Sequence, residues 1–412
     1  MSNFPAPSPF AAAWPLDPAV VMLNHGSFGA CPRVVLDRQQ ALRERIESEP
    51  VRFFMREIES LLDASRETLA GLLVASTDDL VFVRNATSGV NGVLRSLRFE
   101  AGDEILMTDH EYNACANTVR WVAERTGARA VLAQVPVPVV SSDEIVERIM
   151  ERVTDRTRLA LLDHITSPTA VVMPIERLIA RLAERGIDTL VDGAHGPGML
   201  RLELERLGAA YYTGNCHKWL CAPKGAAFLH VRRDRQRELH PTVISHGLNS
   251  RRPGHSRFQD EFDWTGTDDP TPWLCVGDSI RFLESFEGGL AGVMRRNAAL
   301  AREARELLCS RWGAAPICPV EMLGSMAAMA LPPSPGKSEP QTANETGSAF
   351  AIHPLQTALF ERFGVEVPVF FWGNPPQLIL RVSAQLYNSR AQYEYLAEAL
   401  GILLREKHEK TP

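Results

Sequence analysis

The chain has 412 residues, 45% of them hydrophobic and 23% charged, with a formal net charge of −6. These proportions are those of a globular protein with a sizeable core, and they exclude a largely disordered or collagen-like chain. No apolar stretch approaches the ~20 residues of a membrane helix, no basic run marks a nucleic-acid surface, and Pro5, Pro7, Pro9, Pro15 and Pro18 break up a start that lacks a basic segment, against a secretory signal.

In chain order, residues 1–20 read as an N-terminal extension. Helices are expected at 33–49 and 58–74, before a first strand at 80–84. Strands at 104–108, 130–134, 159–164, 189–192, 210–213 and 226–231 then alternate with amphipathic helices at 88–97, 112–125, 142–153 and 175–185. The segment 203–207 reads as a short turn. Short apolar runs joined by helices predict one large, mainly parallel sheet. The last two strands are close in sequence, so one antiparallel pairing is expected. Beyond about residue 270 the texture changes: helices at 278–285, 291–312, 355–363 and 390–405, and strands at 327–331 and 377–382, predict a smaller α+β domain. The expected division is a large α/β domain over 21–270 and a small domain over 271–412, with a Pro-, Ser-, Gly- and Thr-rich surface loop at 332–348.

Two compositional facts bear on chemistry. The seven cysteines are odd in number and form no CxxC pair, which fits reduced thiols in a cytoplasm. Of 44 basic residues only Lys218, Lys224, Lys337, Lys407 and Lys410 are lysine. A lysine kept in so arginine-rich a chain points to chemistry that arginine cannot do, such as losing a proton and forming an imine.

Asp192-Gly193-Ala194-His195 closes one predicted strand, and Asn215-Cys216-His217-Lys218-Trp219 follows the next. In open α/β sheets ligands bind at these strand ends. Taken alone, Asp192 reads as a turn or cap residue, Lys218 as a surface lysine, and His195 and His217 as core histidines. Together they place an acid and an amine at one crevice, the pair that pyridoxal phosphate requires for its ring nitrogen and its aldehyde. A third segment, Asn85-Ala86-Thr87-Ser88-Gly89, joins a strand to a helix. Its small residues leave the first helical N–H groups open to an anion, and Thr87 and Ser88 add hydroxyls.

With these residues in place, the chain resembles the class V aminotransferase-like group of fold-type I pyridoxal-phosphate enzymes, and within it the isopenicillin N epimerase-like proteins. The resemblance spans about residues 23–403. It runs through Asn24-His25-Gly26, Asn85-Ala86-Thr87, His110-Glu111-Tyr112-Asn113-Ala114, Asp192-Gly193-Ala194-His195, His217-Lys218, Trp264-Thr265-Gly266-Thr267 and Arg381-Val382-Ser383. It implies a fold-type I architecture, a large mainly parallel-sheet domain with a smaller α+β domain. Lys218 would carry pyridoxal phosphate as a Schiff base and move protons at the substrate Cα. Asp192 would pair with the ring nitrogen, and His195 would lie near the phenolic oxygen. Tyr112 would stack on the ring, with His110 as a rival. Ala86, Thr87, Asn215 and His217 would bind the phosphate, joined by Thr267 across a homodimer interface. Arg381 would clamp the substrate carboxylate. Asn24 and His25 would border the substrate entrance, a plain turn being the other reading.

The resemblance leaves the reaction open. An epimerase or racemase acting at Cα of an amino acid comes first, with Tyr112 as second proton donor. A C–S lyase of the hercynylcysteine sulfoxide lyase type and a class V aminotransferase are the alternatives. The absence of Cys between Phe350 and Arg381 argues against cysteine desulfuration. The expected partner is a small amino-acid substrate, with no metal, nucleic acid or membrane.

Overall fold

The computed structural model describes residues 4–332, 352–373 and 375–409. The loop expected at 332–348 lies outside them except for Pro332. In chain order the strands are β1 (Val21–Met22), β2 (Leu80–Val83), β3 (Glu104–Thr108), β4 (Arg129–Ala133), β5 (Thr157–Asp163), β6 (Asp188–Asp192), β7 (Tyr211–Asn215) and β8 (Ala227–Val231). They are followed by β9 (Ala315–Pro316), β10 (Met326–Ala330), β11 (Val365–Glu366), β12 (Val369–Trp372) and β13 (Gln377–Ser383).

The central sheet has seven strands in the order β2-β8-β7-β6-β5-β3-β4. Strands β4, β3, β5, β6 and β7 run parallel. Strand β8 is antiparallel to both β7 and β2. Two antiparallel pairings therefore replace the one expected, because β8 inserts between β7 and β2. Side chains alternate across the sheet. Leu80, Phe82, Leu162, Val191 and Phe228 join one core, while Val81, Val83, Leu161, Leu190 and Leu229 join another on the opposite face. Burial on both faces explains why these strands read as nearly unbroken apolar runs.

The helix Ala86–Ser96 starts just after β2 and is capped by Asn85, whose side chain accepts from the Ser88 N–H at 2.8 Å. Gly89 lets this helix lie directly on β7: a Cβ there would fall 2.3 Å from Thr213 Oγ1. The helix N-terminus is thus seated beside the C-terminal end of β7.

The second sheet has four strands in the order β12-β13-β10-β9, all antiparallel. The helices Gly289–Trp312 and Arg390–Glu409 pack beside it. Strand β12 escaped the sequence reading because it is a short strand just after Pro368, at the sheet edge where proline is tolerated. Strand β1 pairs in parallel with β11, and the Ser383 N–H donates to Leu23 O at 2.8 Å. These links carry the segment after Leu23 to the end of β13, where Arg381 stands. No helix among the described residues is long and apolar enough to cross a membrane.

Candidate active site

Asp192 is the last residue of β6, and Lys218 stands three residues beyond β7. Lys218 Nζ lies 3.1 Å from His195 Nε2. Burial lowers the Lys218 amine to about 8, against the attraction of Asp192. Asp192 is buried; its Oδ1 accepts the Ala194 N–H at 2.9 Å and its Oδ2 accepts the Cys115 thiol at 3.2 Å. Burial raises this carboxyl, while the bonds from Ala194 and Cys115 and the Lys218 charge pull the other way. An acid and a readily deprotonated amine therefore do share one set of strand ends.

Around the helix N-terminus the expected donors divide. The Ala86 N–H is committed to Asn215 Oδ1 at 2.8 Å, so this pair braces the turn and leaves neither of those atoms for an anion. Among the described residues, the Thr87 N–H and hydroxyl have no protein acceptor. His217 Nδ1 faces Ala226 O at 2.9 Å. A carbonyl only accepts, so Nδ1 carries the proton and Nε2 a lone pair. Burial, helped by the Lys218 charge, lowers His217 to about 4. Thr267 is exposed, beside Arg43 and Phe54, and Asp268 pairs with Arg84.

Arg381 is buried, 4% exposed. Its Nη1 donates to Ser167 O and to Ser167 Oγ, the latter at 3.3 Å; its Nη2 donates to Asn24 Oδ1 at 3.3 Å and Ser27 Oγ at 2.9 Å. Its Nε has no partner, and no carboxylate lies within ion-pair distance among the described residues. Burial lowers this guanidinium to about 10.

Two expected substrate contacts are corrected here. Asn24 braces Arg381, and its amide donates to Glu366 Oε1 at 3.1 Å. His25 is fully buried, with Nδ1 at 2.9 Å from the Tyr387 hydroxyl and Nε2 at 2.9 Å from Lys218 O. Both ring nitrogens are engaged, so His25 pins the Lys218 backbone rather than bordering an entrance. Burial holds it near 3, well away from charging.

His110 is likewise held in the core, by the Thr169 hydroxyl at 2.7 Å and Val135 O at 3.1 Å, with its ring edge-on to Trp372. Tyr112 differs: it is 45% exposed, and its hydroxyl makes no hydrogen bond among the described residues. Burial raises its phenol, as do Cys115 and Asp192, while Arg381 lowers it, so the hydroxyl lies in the field of both charged groups.

Several residues at the site went unread in the sequence. Glu111 and Asp163 are buried carboxyls beside Asp192, and ligand atoms of Glu111, Cys115 and Asp192 lie within 4.8 Å of one another. Burial, then neighbouring carboxylates, push Glu111 and Asp163 well up, so both stay protonated and the cluster avoids three adjacent negative charges. Ser167, which holds Arg381, follows the end of β5; the strand-end rule that found Asp192 reaches it too. Trp219 donates its indole N–H to His195 Nδ1 at 3.2 Å. Cys216 is fully buried and burial raises its thiol, which marks it as a packing residue.

The Aminotransferase class-V family model matches residues 26–323. The chain is 36% identical to an isopenicillin N epimerase of Streptomyces clavuligerus, over 95% of this chain and 96% of that protein. It is 33% identical to a probable chloroplastic L-cysteine desulfhydrase of Arabidopsis thaliana, over 95% of this chain and 84% of that protein. The fold matches the cysteine desulfurase CsdA of Escherichia coli with a TM-score of 0.76, covering 96% of this chain and 98% of that one at 20% identity. With the family matched over most of its length and the strand-end acid and amine in place, the chain belongs to the class V aminotransferase family of fold-type I pyridoxal-phosphate enzymes.

Proposed function

We propose that this chain is an epimerase or racemase that inverts Cα of an amino-acid substrate. The observation that carries the substrate class is Arg381, a buried guanidinium with an unpartnered Nε and no carboxylate beside it among the described residues. A buried cation without a counter-charge is costly, and a substrate carboxylate relieves that cost through a two-pronged bond.

The residues also fit the family's cofactor. Asp192 offers a buried carboxyl for a protonated ring nitrogen, Lys218 an amine near neutrality, and Thr87 uncommitted donors at a helix N-terminus for a phosphate. When bound, pyridoxal phosphate supplies an electron sink for the charge left at Cα once its proton departs. Lys218 serves as attachment point and then as the base on one side of Cα. Tyr112 supplies the proton on the other side; its raised phenol stays protonated and able to donate. Thr87 holds the phosphate through its N–H and hydroxyl, His217 joins it only once the dianion draws a second proton onto Nε2, and Thr267 completes the site of the other subunit in a homodimer.

A C–S lyase acting on cysteine or a derivative is the second reading, favoured by the desulfhydrase relatives. It uses the same proton removal by Lys218, followed by loss of sulfur from Cβ. A survey of amino acids and sulfur-containing derivatives in heavy water separates the two. Deuterium entering Cα with inversion, and without ammonia, supports the epimerase. Pyruvate with ammonia would overturn it in favour of the lyase. Tyr112→Phe should slow inversion by about 10²-fold or more while Cα exchange persists; equal losses of both would remove Tyr112 from the role.

A further inference from the structure

We propose that Trp219 is a positioning residue that fixes which nitrogen of His195 carries the proton, so that the imidazole presents a donor rather than a lone pair to the Lys218 side of the site. An indole N–H can only donate. Trp219 Nε1 lies 3.2 Å from His195 Nδ1, so Nδ1 must accept. The proton of the neutral ring then sits on Nε2, which faces Lys218 Nζ at 3.1 Å; an ammonium could not accept there, so Lys218 meets it as the free amine, the form that prevails above about pH 8. Turning the ring over would put carbon atoms against both partners and lose both bonds. A doubly protonated ring would set two N–H groups against each other at Trp219. Charging is opposed further by burial, the largest cause, and by the charge of Arg381.

Trp219 has little freedom to do otherwise. It is fully buried, and its ring packs against that of His25 with centroids 4.9 Å apart. Gly198, at φ +81°, lets the preceding loop close on it: a Cβ there would lie 2.5 Å from the Trp219 carbonyl carbon. His25 in turn holds Lys218 O. The backbone that carries Lys218 and the indole that sets His195 are thus clamped as one unit.

The consequence for chemistry rests on the cofactor reading above. A donor on Nε2 stabilises negative charge on the cofactor's phenolic oxygen, which the family resemblance sets near His195, whereas a lone pair would repel it. Asp192 tunes the opposite end of the ring, so Trp219 and Asp192 would act on separate atoms of one group.

The first test needs no cofactor. Nitrogen NMR of the cofactor-free protein with ¹⁵N-labelled histidine, His195 being assigned through a His195→Gln variant, should show a protonated Nε2 and an unprotonated Nδ1 at about pH 9, where Lys218 is the free amine. Trp219→Phe should turn this into a tautomer mixture. A protonated Nδ1 in the native chain, or no change in a folded Trp219→Phe variant, would overturn the proposal.

The second test follows the pH at which the visible band of the cofactor-loaded protein titrates. Trp219→Phe should raise that midpoint by about one pH unit, because an oxygen that loses its donor holds a neighbouring proton more tightly. In a His195→Gln background, where no tautomer exists, the same substitution should move it far less. Equal shifts in both backgrounds would mean that Trp219 acts by packing alone, and would overturn the proposal. Failure to take up any cofactor would count against the cofactor reading, while the NMR result would still decide the tautomer.

Discussion

Arg381 and Asp192 face opposite electrostatic problems. Arg381 is a cation held only by neutral oxygens, whereas Asp192 is an acid whose burial favours its protonated form until a positive ring nitrogen comes near. Arg381→Lys keeps the charge but loses the planar fork. It should raise KM for carboxylate substrates about ten- to a hundredfold, the scale of one lost charge-assisted bond, with little change in the cofactor band. An unchanged KM would move the carboxylate clamp elsewhere. Asp192→Asn should keep the fold and some cofactor but cost about 2.7–4 kcal/mol of transition-state stabilisation, as for other preorganised electrostatic groups; near-normal turnover would exclude that role. Asp192 and Lys218 stood out as candidates because residue type, strand-end position and family motif agreed, and Arg381 because an arginine after the apolar run 378–380 matched the motif. Ser167 and Trp219 did not, because their importance lies in bonds between separate segments. Ser167 meets Arg381 across 214 positions of sequence, and Trp219 matters through one nitrogen of one ring. His25 was misread because a histidine near a motif gives no sign of whether its nitrogens face substrate or backbone.

At the level of elements, the helix Ala86–Ser96 owes its place to one missing methyl. Gly89→Ala would drive a Cβ into Thr213, whose hydroxyl is itself committed to Phe228 O at 2.8 Å and cannot simply turn away. The helix must lift from the sheet, at about 1–3 kcal/mol of overpacking, and Thr87 moves with it. Lower melting temperature and weaker cofactor retention should appear together. Gly71→Ala is the control: it lies within the helix Ile58–Leu73 and its Cβ would meet nothing within 4 Å, so it should gain about 0.5–1 kcal/mol. Equal effects of the two substitutions would refute the close-approach explanation. The strands themselves were readable as apolar runs between helices. Their order was not: nothing in the periodicity of β8 says that it enters between β7 and β2, since pairing depends on which edge remains open once the parallel strands are laid down.

On the scale of the whole molecule, stability should depend on acid. His25 is lowered to about 3, and His164, His217 and His230 to about 4, chiefly by burial; His110 and His195 are also lowered. An unfolded imidazole takes up its proton near 6.5. Below that pH the unfolded chain binds more protons at these sites, so their contribution is lost as pH falls from about 6.5 toward 4. Asp79, Glu111, Asp163 and Asp192 are raised and act in the opposite sense, but they are fewer. The melting temperature should therefore fall between about pH 7 and about pH 5; a flat or rising profile would contradict this balance. The proposed homodimer has its own test. Mixing inactive Lys218→Ala subunits with inactive variants disrupted at Gly266 and Thr267 should restore activity, since one shared site would then carry neither defect, whereas no recovery despite subunit exchange would place both segments in one chain's own site. The most direct measurement addresses the attachment point itself. The cofactor-loaded protein is reduced with borohydride, digested with trypsin, and the modified residue located by mass spectrometry. The expected label is on Lys218, the amine lowered by burial beside His195 and Asp192. A label on Lys224, or none after reconstitution with pyridoxal phosphate, would contradict the assignment of this site.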